Sequence, residues 1–250
     1  MRRLTIAATV ALMLTGGQAL AGLKWVKAAR VDLDGDKKKE SVKLTTGKPF
    51  NPTFRLSAGA AKLEGKLTAD VVTGFAVVDL DCKDQHKEIL IDCCSEAGDY
   101  HHYLFVRYQN GKLITLGEYN ADLPSEPAIP GNRSVRLQPW FGFYQSTVKL
   151  GLSKGKLAEV SQAMYYVGIT GKPRKSPTLW RTPKAREKVG ILAPGKEIKI
   201  VGYRPSPDKC KRHKMYGRKL CDWYLVKSSS GLMGWIRFED LDAESLPWAG

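Results

Sequence analysis

The chain has 250 residues, with 40 Lys and Arg against 25 Asp and Glu, a formal charge of +15. Hydrophobic residues make up 43% and charged residues 26%, which excludes wholesale disorder. The length suits one large domain or two small ones, at roughly 100–200 residues each.

The first 21 residues read as an export signal. Arg2 and Arg3 supply the positive start, Leu4 to Leu14 the short apolar run, and Ala19-Leu20-Ala21 the small residues that a signal peptidase reads. The apolar run is shorter than the ~20 residues of a membrane span, and no later segment reads as transmembrane. Cleavage after Ala21 leaves a chain with charge 38 − 25 = +13, expected in the periplasm or outside the cell. Five cysteines follow: Cys82, Cys93, Cys94, Cys210 and Cys221. An oxidising compartment permits disulfides. Cys210 and Cys221 are expected to pair across a loop rich in Lys and Arg. Cys82 has Cys93 or Cys94 as its partner, with one thiol left over. Cys93-Cys94 with His101-His102 lacks the two-residue gap of common zinc motifs.

Short alternating or apolar runs at 41–45, 53–57, 61–67 and 75–80 predict strands, and 88–93 predicts a buried one. Asn110-Gly111 sets a hairpin between 103–108 and 113–116, and 153–156 sets another between 146–152 and 157–160. Nothing shows a sustained helical period. Gly168, Gly171, Pro173 and Pro177 mark 168–175 as a linker between a first domain, 22–167, and a second, 176–250. The second carries strand-like runs at 178–181, 188–192, 197–203, 223–227 and 234–238.

The sharpest motif is Asp32-Leu33-Asp34-Gly35-Asp36-Lys37-Lys38-Lys39-Glu40. Alternate carboxylates Asp32, Asp34 and Asp36 can converge on one centre, with Glu40 adding a fourth, an all-oxygen set suited to Ca²⁺. The other reading is a solvated acidic turn, its charge offset by Lys37, Lys38 and Lys39. A second copy follows about 47 residues later, where Val78-Asp79-Leu80-Asp81 repeats Val31-Asp32-Leu33-Asp34. Asp79, Asp81, Asp84 and Glu88 are its candidate oxygens. It is one residue longer, and Lys83 replaces the third acid, so it reads as a weaker metal loop or a structural turn.

The first loop resembles the calcium loops of FG-GAP (VCBS-type) repeats, with Lys37 where a second glycine is usual. The stretch from Asp79 to Gly117, with Gly98-Asp99-Tyr100, an aromatic strand, a hairpin and Leu116-Gly117-Glu118, resembles exported bacterial proteins carrying one degenerate FG-GAP/VCBS-like domain. That resemblance implies a partial propeller-like or modified β assembly, since about 145 residues are too few for a closed seven-bladed ring. In the second domain, Pro177-Thr178-Leu179-Trp180, Val189-Gly190-Ile191-Leu192, Pro194-Gly195-Lys196-Glu197-Ile198, Trp223 to Lys227 and Gly234-Trp235-Ile236 resemble a bacterial Src-homology-3-like barrel. The whole chain is thus expected to be all-β.

The barrel resemblance implies docking to cell-wall peptidoglycan peptides or related polymers. Trp180, Tyr203, Tyr216 and Tyr224 are the candidates for an exposed groove, while Trp223 and Trp235 are expected to pack the barrel core. The basic residues between Lys209 and Lys219 suit anionic polymers, lipid head groups or nucleic acid, though no sequence-specific nucleic-acid motif occurs. No Gly-x-Ser-x-Gly, His-Glu-x-x-His or phosphate-cradling loop is present. The expected function is therefore an exported, non-enzymatic binding protein for cell wall or a protein partner. A cell-wall hydrolase with an unrecognised site and a polyanion binder are the alternatives.

Overall fold

The computed structural model describes residues 22–122, 126–184, 187–214 and 218–241. The expected export signal and Tyr216 lie outside them. The described residues form strands and a single 3₁₀ turn, Phe238–Asp240.

Four strands, β1 (Ala28–Val31), β2 (Glu40–Thr46), β3 (Thr53–Ala58) and β4 (Ala61–Lys66), make an antiparallel meander. Four more, β5 (Val71–Val78), β6 (Glu88–Cys94), β7 (Tyr100–Gln109) and β8 (Lys112–Asp122), make a second in the same order. The repeat in the sequence is also a repeat in register: Val31 pairs with Glu40, and Val78 with Glu88. Each acidic turn therefore joins the first two strands of its own meander.

Side-chain alternation decides how each strand is buried. In β2, Val42 and Leu44 point inward while Ser41, Lys43 and Thr45 face solvent. The unbroken apolar run of β6 has a different cause, because both of its faces are covered. Ile89, Ile91 and Cys93 join the first meander's core, and Leu90 joins a second core with Tyr103 and Phe105. Both expected hairpins form. Asn110 and Gly111 have φ of 51° and 71°, and Lys154 and Gly155 have 50° and 70°, the left-handed pair that a two-residue hairpin requires.

A three-stranded sheet follows, β9 (Ser134–Leu137), β10 (Val148–Ser153) and β11 (Lys156–Glu159), in the order β11-β10-β9. The last sheet holds β12 (Tyr165–Gly171), β13 (Thr178–Trp180), β14 (Lys188–Ile191), β15 (Ile198–Arg204), β16 (Trp223–Ser228) and β17 (Met233–Arg237). Its order is β12-β15-β16-β17-β13-β14.

Two expectations change here. The barrel is not closed: β12 and β14 are the two edges of an open sheet. The segment read as a linker, 168–175, begins inside β12. Tyr165 and Val167 of that strand are buried and Tyr166 is exposed, so a half-buried strand lies under its turn-forming glycines. One apolar core runs from the second meander into the C-terminal sheet, joining Leu90 and Phe105 to Phe143, Tyr144, Tyr224 and Ile236.

Candidate functional site

In the first acidic loop, Asp32 accepts the Gly35 N–H at 2.8 Å on one oxygen and the Lys37 N–H at 2.9 Å on the other. Glu40 reaches back to accept the Leu33 N–H at 2.8 Å. Oxygens of Asp32, Asp34 and Glu40 lie within 4.8 Å of one another. A Ca²⁺ ion with its ligands at 2.3–2.6 Å is about 4.6–5.2 Å across from oxygen to oxygen, so the three match its size. The fourth expected ligand, Asp36, stands outside this group. It accepts the Lys38 N–H at 2.7 Å and faces the Lys38 Nζ at 3.6 Å. Lys37 sits at φ 70°, the left-handed conformation that the usual glycine would take without cost. Gly35 is required on two counts. Its φ is 78°, and a Cβ there would lie 2.4 Å from the Cβ of Gln85 in the second loop. The Lys87 N–H also donates to the Leu33 carbonyl at 2.9 Å, so the two acidic loops dock on each other.

The second loop resolves its charge internally. Glu88 accepts the Leu80 N–H at 2.9 Å, the counterpart of Glu40 and Leu33. Directly across on β7 stands Arg107. Its Nε donates to Glu88 at 2.8 Å, and its Nη2 donates to Glu88 and, at 3.3 Å, to Asp84. Glu88 is fully buried, and burial pushes its carboxyl up while the Leu80 N–H and the Arg107 guanidinium pull it down. Asp81 accepts the Lys83 N–H at 3.2 Å and faces Arg133 at 3.6 Å. Asp79 keeps one buried oxygen without a hydrogen bond. A guanidinium thus stands where a cation would bridge Asp84 and Glu88. In the first meander β3 ends at Ala58, which pairs with Val42 and, across the turn at 59–60, with Ala61, so no β3 residue stands opposite Glu40 as Arg107 stands opposite Glu88. Among the described residues, no Lys or Arg forms an ion pair with Asp32, Asp34 or Glu40.

The three aromatic candidates of the C-terminal sheet among the described residues, Trp180, Tyr203 and Tyr224, separate. Trp180 lines a groove of about 440 Å³ with Trp223, Pro183, Lys184, Arg237, Glu239 and Asp240. The Arg237 guanidinium lies 5.2 Å from the Trp223 ring centre and 3.2 Å from Glu239. Tyr203 and Tyr224 are not groove residues, being 4% and 0% exposed. They pair across β15 and β16 with ring centres 5.3 Å apart, on the face that packs against Phe143 and Tyr144. Burial pushes both phenols up. Trp223 and Trp235, expected in a barrel core, alternate with the buried Tyr224 and Ile236 and lie on the opposite face. The signal that identifies them is the period-two pattern of Trp223, Leu225 and Lys227, which places all three on one side.

Cys210 and Cys221 form the expected disulfide. It closes the loop carrying Arg218, whose guanidinium lies 4.3 Å from the Phe141 ring centre. Cys82 does not pair with Cys93 or Cys94, and all three are free thiols. Cys82 is exposed in the second acidic turn, whereas Cys93 is buried in the first core. Cys94 and Cys93 stand directly across from His101 and His102. Neither thiol is activated there. Burial raises Cys93 to about 11, and burial with Asp92 raises Cys94, whereas a nucleophilic thiolate needs the opposite shift. The histidines are otherwise engaged. His101 Nδ1 lies 2.7 Å from Asp92. His102 Nδ1 accepts the Thr68 N–H at 3.0 Å, and its Nε2 faces Glu118 at 3.4 Å.

Comparison of the chain with family models, curated proteins and solved structures returns no match.

Proposed function

We propose that this is an exported, non-enzymatic binding protein that docks cell-wall peptidoglycan, or an exported protein partner, through its C-terminal sheet. The observation that carries this reading is the groove between Trp180 and Trp223. It is concave and about 440 Å³ in volume, it presents the half-buried Trp180 indole for flat apolar contact beside a buried Trp223 that Arg237 covers, and Lys184, Arg237, Glu239 and Asp240 give it a polar rim. Strand order and the Gly234-Trp235-Ile236 hairpin arm support the likeness to bacterial Src-homology-3-like modules, here as an open sheet. The two meanders, each with an acidic turn between its first two strands, support the likeness to FG-GAP/VCBS-type units.

In this reading the N-terminal part is a scaffold. Its first loop takes Ca²⁺ on Asp32, Asp34 and Glu40, while Arg107 does the equivalent work in the second. Ca²⁺ would neutralise three half-buried carboxylates and tie the start of β2 to the end of β1. With an affinity on the order of 10⁻⁴ M, as for extracellular calcium modules, an ion at a hundredfold excess would add about 2.7 kcal/mol of stability. Calorimetric titration with a parallel melting curve tests this. Heat on Ca²⁺ addition and a raised melting temperature, both lost in Asp32→Asn, are expected; no heat and no shift would remove the ion from the account.

The groove is tested with solubilised muropeptides and intrinsic tryptophan fluorescence. A saturable change that disappears in Trp180→Phe is expected. An unchanged spectrum at all concentrations counts against the groove as the docking site.

A further inference from the structure

The charge of the protein is concentrated at one end. Residues 168–241 contain 18 Lys and Arg against 6 Asp and Glu, or 18 − 6 = +12, whereas residues 22–167 carry 20 − 17 = +3. Register shows where part of that charge goes. On the face of the C-terminal sheet turned away from the core, three rows cross the strands. The middle row runs Tyr166, Gly202, Leu225, Trp235, Trp180, Lys188. Met164, 38% exposed, covers Gly202, because a Cβ there would lie 2.3 Å from the Met164 sulfur. One flanking row is Arg204, Trp223, Arg237, and the other is Thr170, Lys199, Lys227, Met233.

This is an apolar band between two cationic margins. Its five cations are all exposed, and the three rows contain no carboxylate. Only Arg237 among the five has an ion-pair partner among the described residues, Glu239. Lys199 and Lys227 are directly opposite, with Cβ atoms about 5 Å apart, and like charges so placed destabilise the free sheet. A pair of that kind costs nothing once an anion lies between its members. Six strands at about 4.8 Å spacing make the band roughly 24 Å long, so it suits a polymer laid across the strands.

We infer that this outer face, continuous with the Trp180–Trp223 groove, binds an acidic polysaccharide, with sugar rings on the half-buried Trp180 and Trp235 and carboxylates on the Arg and Lys margins. The inference rests on the binding function proposed above and names its ligand class. Charge complementarity sets the sign of the partner, since every charged residue of the margins is a cation. The groove favours a glycan over a nucleic acid. Glu239 and Asp240 at its end can accept hydrogen bonds from the ring hydroxyls of a sugar, donors that a DNA backbone does not offer. A hydroxyl-rich chain that also carries carboxylates satisfies both features.

The test uses the mature full-length protein and immobilised polygalacturonate, with dextran as the neutral control and oligothymidylate as the nucleic-acid arm. Polygalacturonate should retain the protein in a salt-sensitive way, and dextran should not. Lys199→Glu should weaken retention by about tenfold or more while raising the melting temperature, because it turns the repulsive cross-strand pair into an attractive one. Trp180→Ala should weaken retention with little change in its salt dependence. No retention on polygalacturonate, tighter binding to oligothymidylate, or retention unaffected by Lys199→Glu would each overturn the inference. Pelleting with peptidoglycan sacculi is measured beside it. Pelleting without polygalacturonate binding overturns the acidic-glycan assignment and leaves the docking function standing. Polygalacturonate binding without pelleting upholds the assignment and removes the cell wall as the target.

Discussion

Replacing Arg107 with Met should expose how the second acidic loop is balanced. The Glu88 side chain is 0% exposed and that of Arg107 13%, so the pair is interior, while Asp84 at 31% adds little. Removing the guanidinium leaves a buried carboxylate with only the Leu80 N–H for company. Breaking one side of a buried pair costs about 3–5 kcal/mol, because the remaining charge stays desolvated. The double variant Arg107→Met/Glu88→Gln should recover much of that loss, since a neutral amide oxygen still accepts the Leu80 N–H. Burial already holds Glu88 above its ordinary 4.5, and losing Arg107 raises it further. An acid with a raised folded pKa holds its proton more tightly in the folded state. Stability therefore falls as pH climbs from 4.5 through the folded value. The penalty of Arg107→Met should be largest at neutral pH and shrink toward pH 4.5. Urea denaturation of the three proteins at both pH values measures it. A single-variant loss below about 1 kcal/mol, the same at both pH values, would refute the buried-pair reasoning.

Other outcomes follow from named contacts. Lys37→Gly should stabilise the protein by about 0.5–1 kcal/mol in thermal melts, since it removes a side chain from a left-handed position and keeps the N–H that Asp32 accepts; an unchanged or lowered melting temperature contradicts this. Replacing Cys210 and Cys221 with Ser should cost about 2–3 kcal/mol by freeing the loop that they close, and added reductant should lower the wild-type melting temperature to the same degree. His101 is raised above 6.5 mainly by its hydrogen bond to Asp92, so its stabilisation is complete below 6.5 and lost as pH rises through the folded value. His102, lowered by burial, acts only as pH falls below 6.5. Asp92→Asn should therefore flatten the alkaline side of the stability profile alone.

The sequence was most legible where one local rule acts alone. Asn110-Gly111 and the Lys154-Gly155 turn demand positive φ, and the continuous apolar run of β6 demands cover on both faces. The acidic repeat was legible because Val-Asp-Leu-Asp recurs, and the equivalent pairing of Val31 with Glu40 and Val78 with Glu88 follows from it. What was not legible depends on partners distant in sequence. Arg107 enters the second loop only because β7 pairs with β6, and nothing near Asp84 or Glu88 announces it. β12 lay hidden among glycines that resemble a linker, and its edge position on β15 leaves the sheet open. The same non-local packing turned Tyr203 and Tyr224 inward, toward aromatic rings contributed by Phe143 and Tyr144. A strand's period shows which residues share a face, but only the neighbouring layer shows which face is covered.

The central claim is that the protein holds a wall polymer at the Trp180–Trp223 groove and leaves its bonds intact. Incubating the mature protein with purified sacculi, then assaying pellet and supernatant from the same tube, tests both halves at once. The account predicts wild-type protein in the pellet, Trp180→Ala largely in the supernatant, and no soluble muropeptides. Wild-type protein left in the supernatant, or muropeptides released into it, would contradict the account.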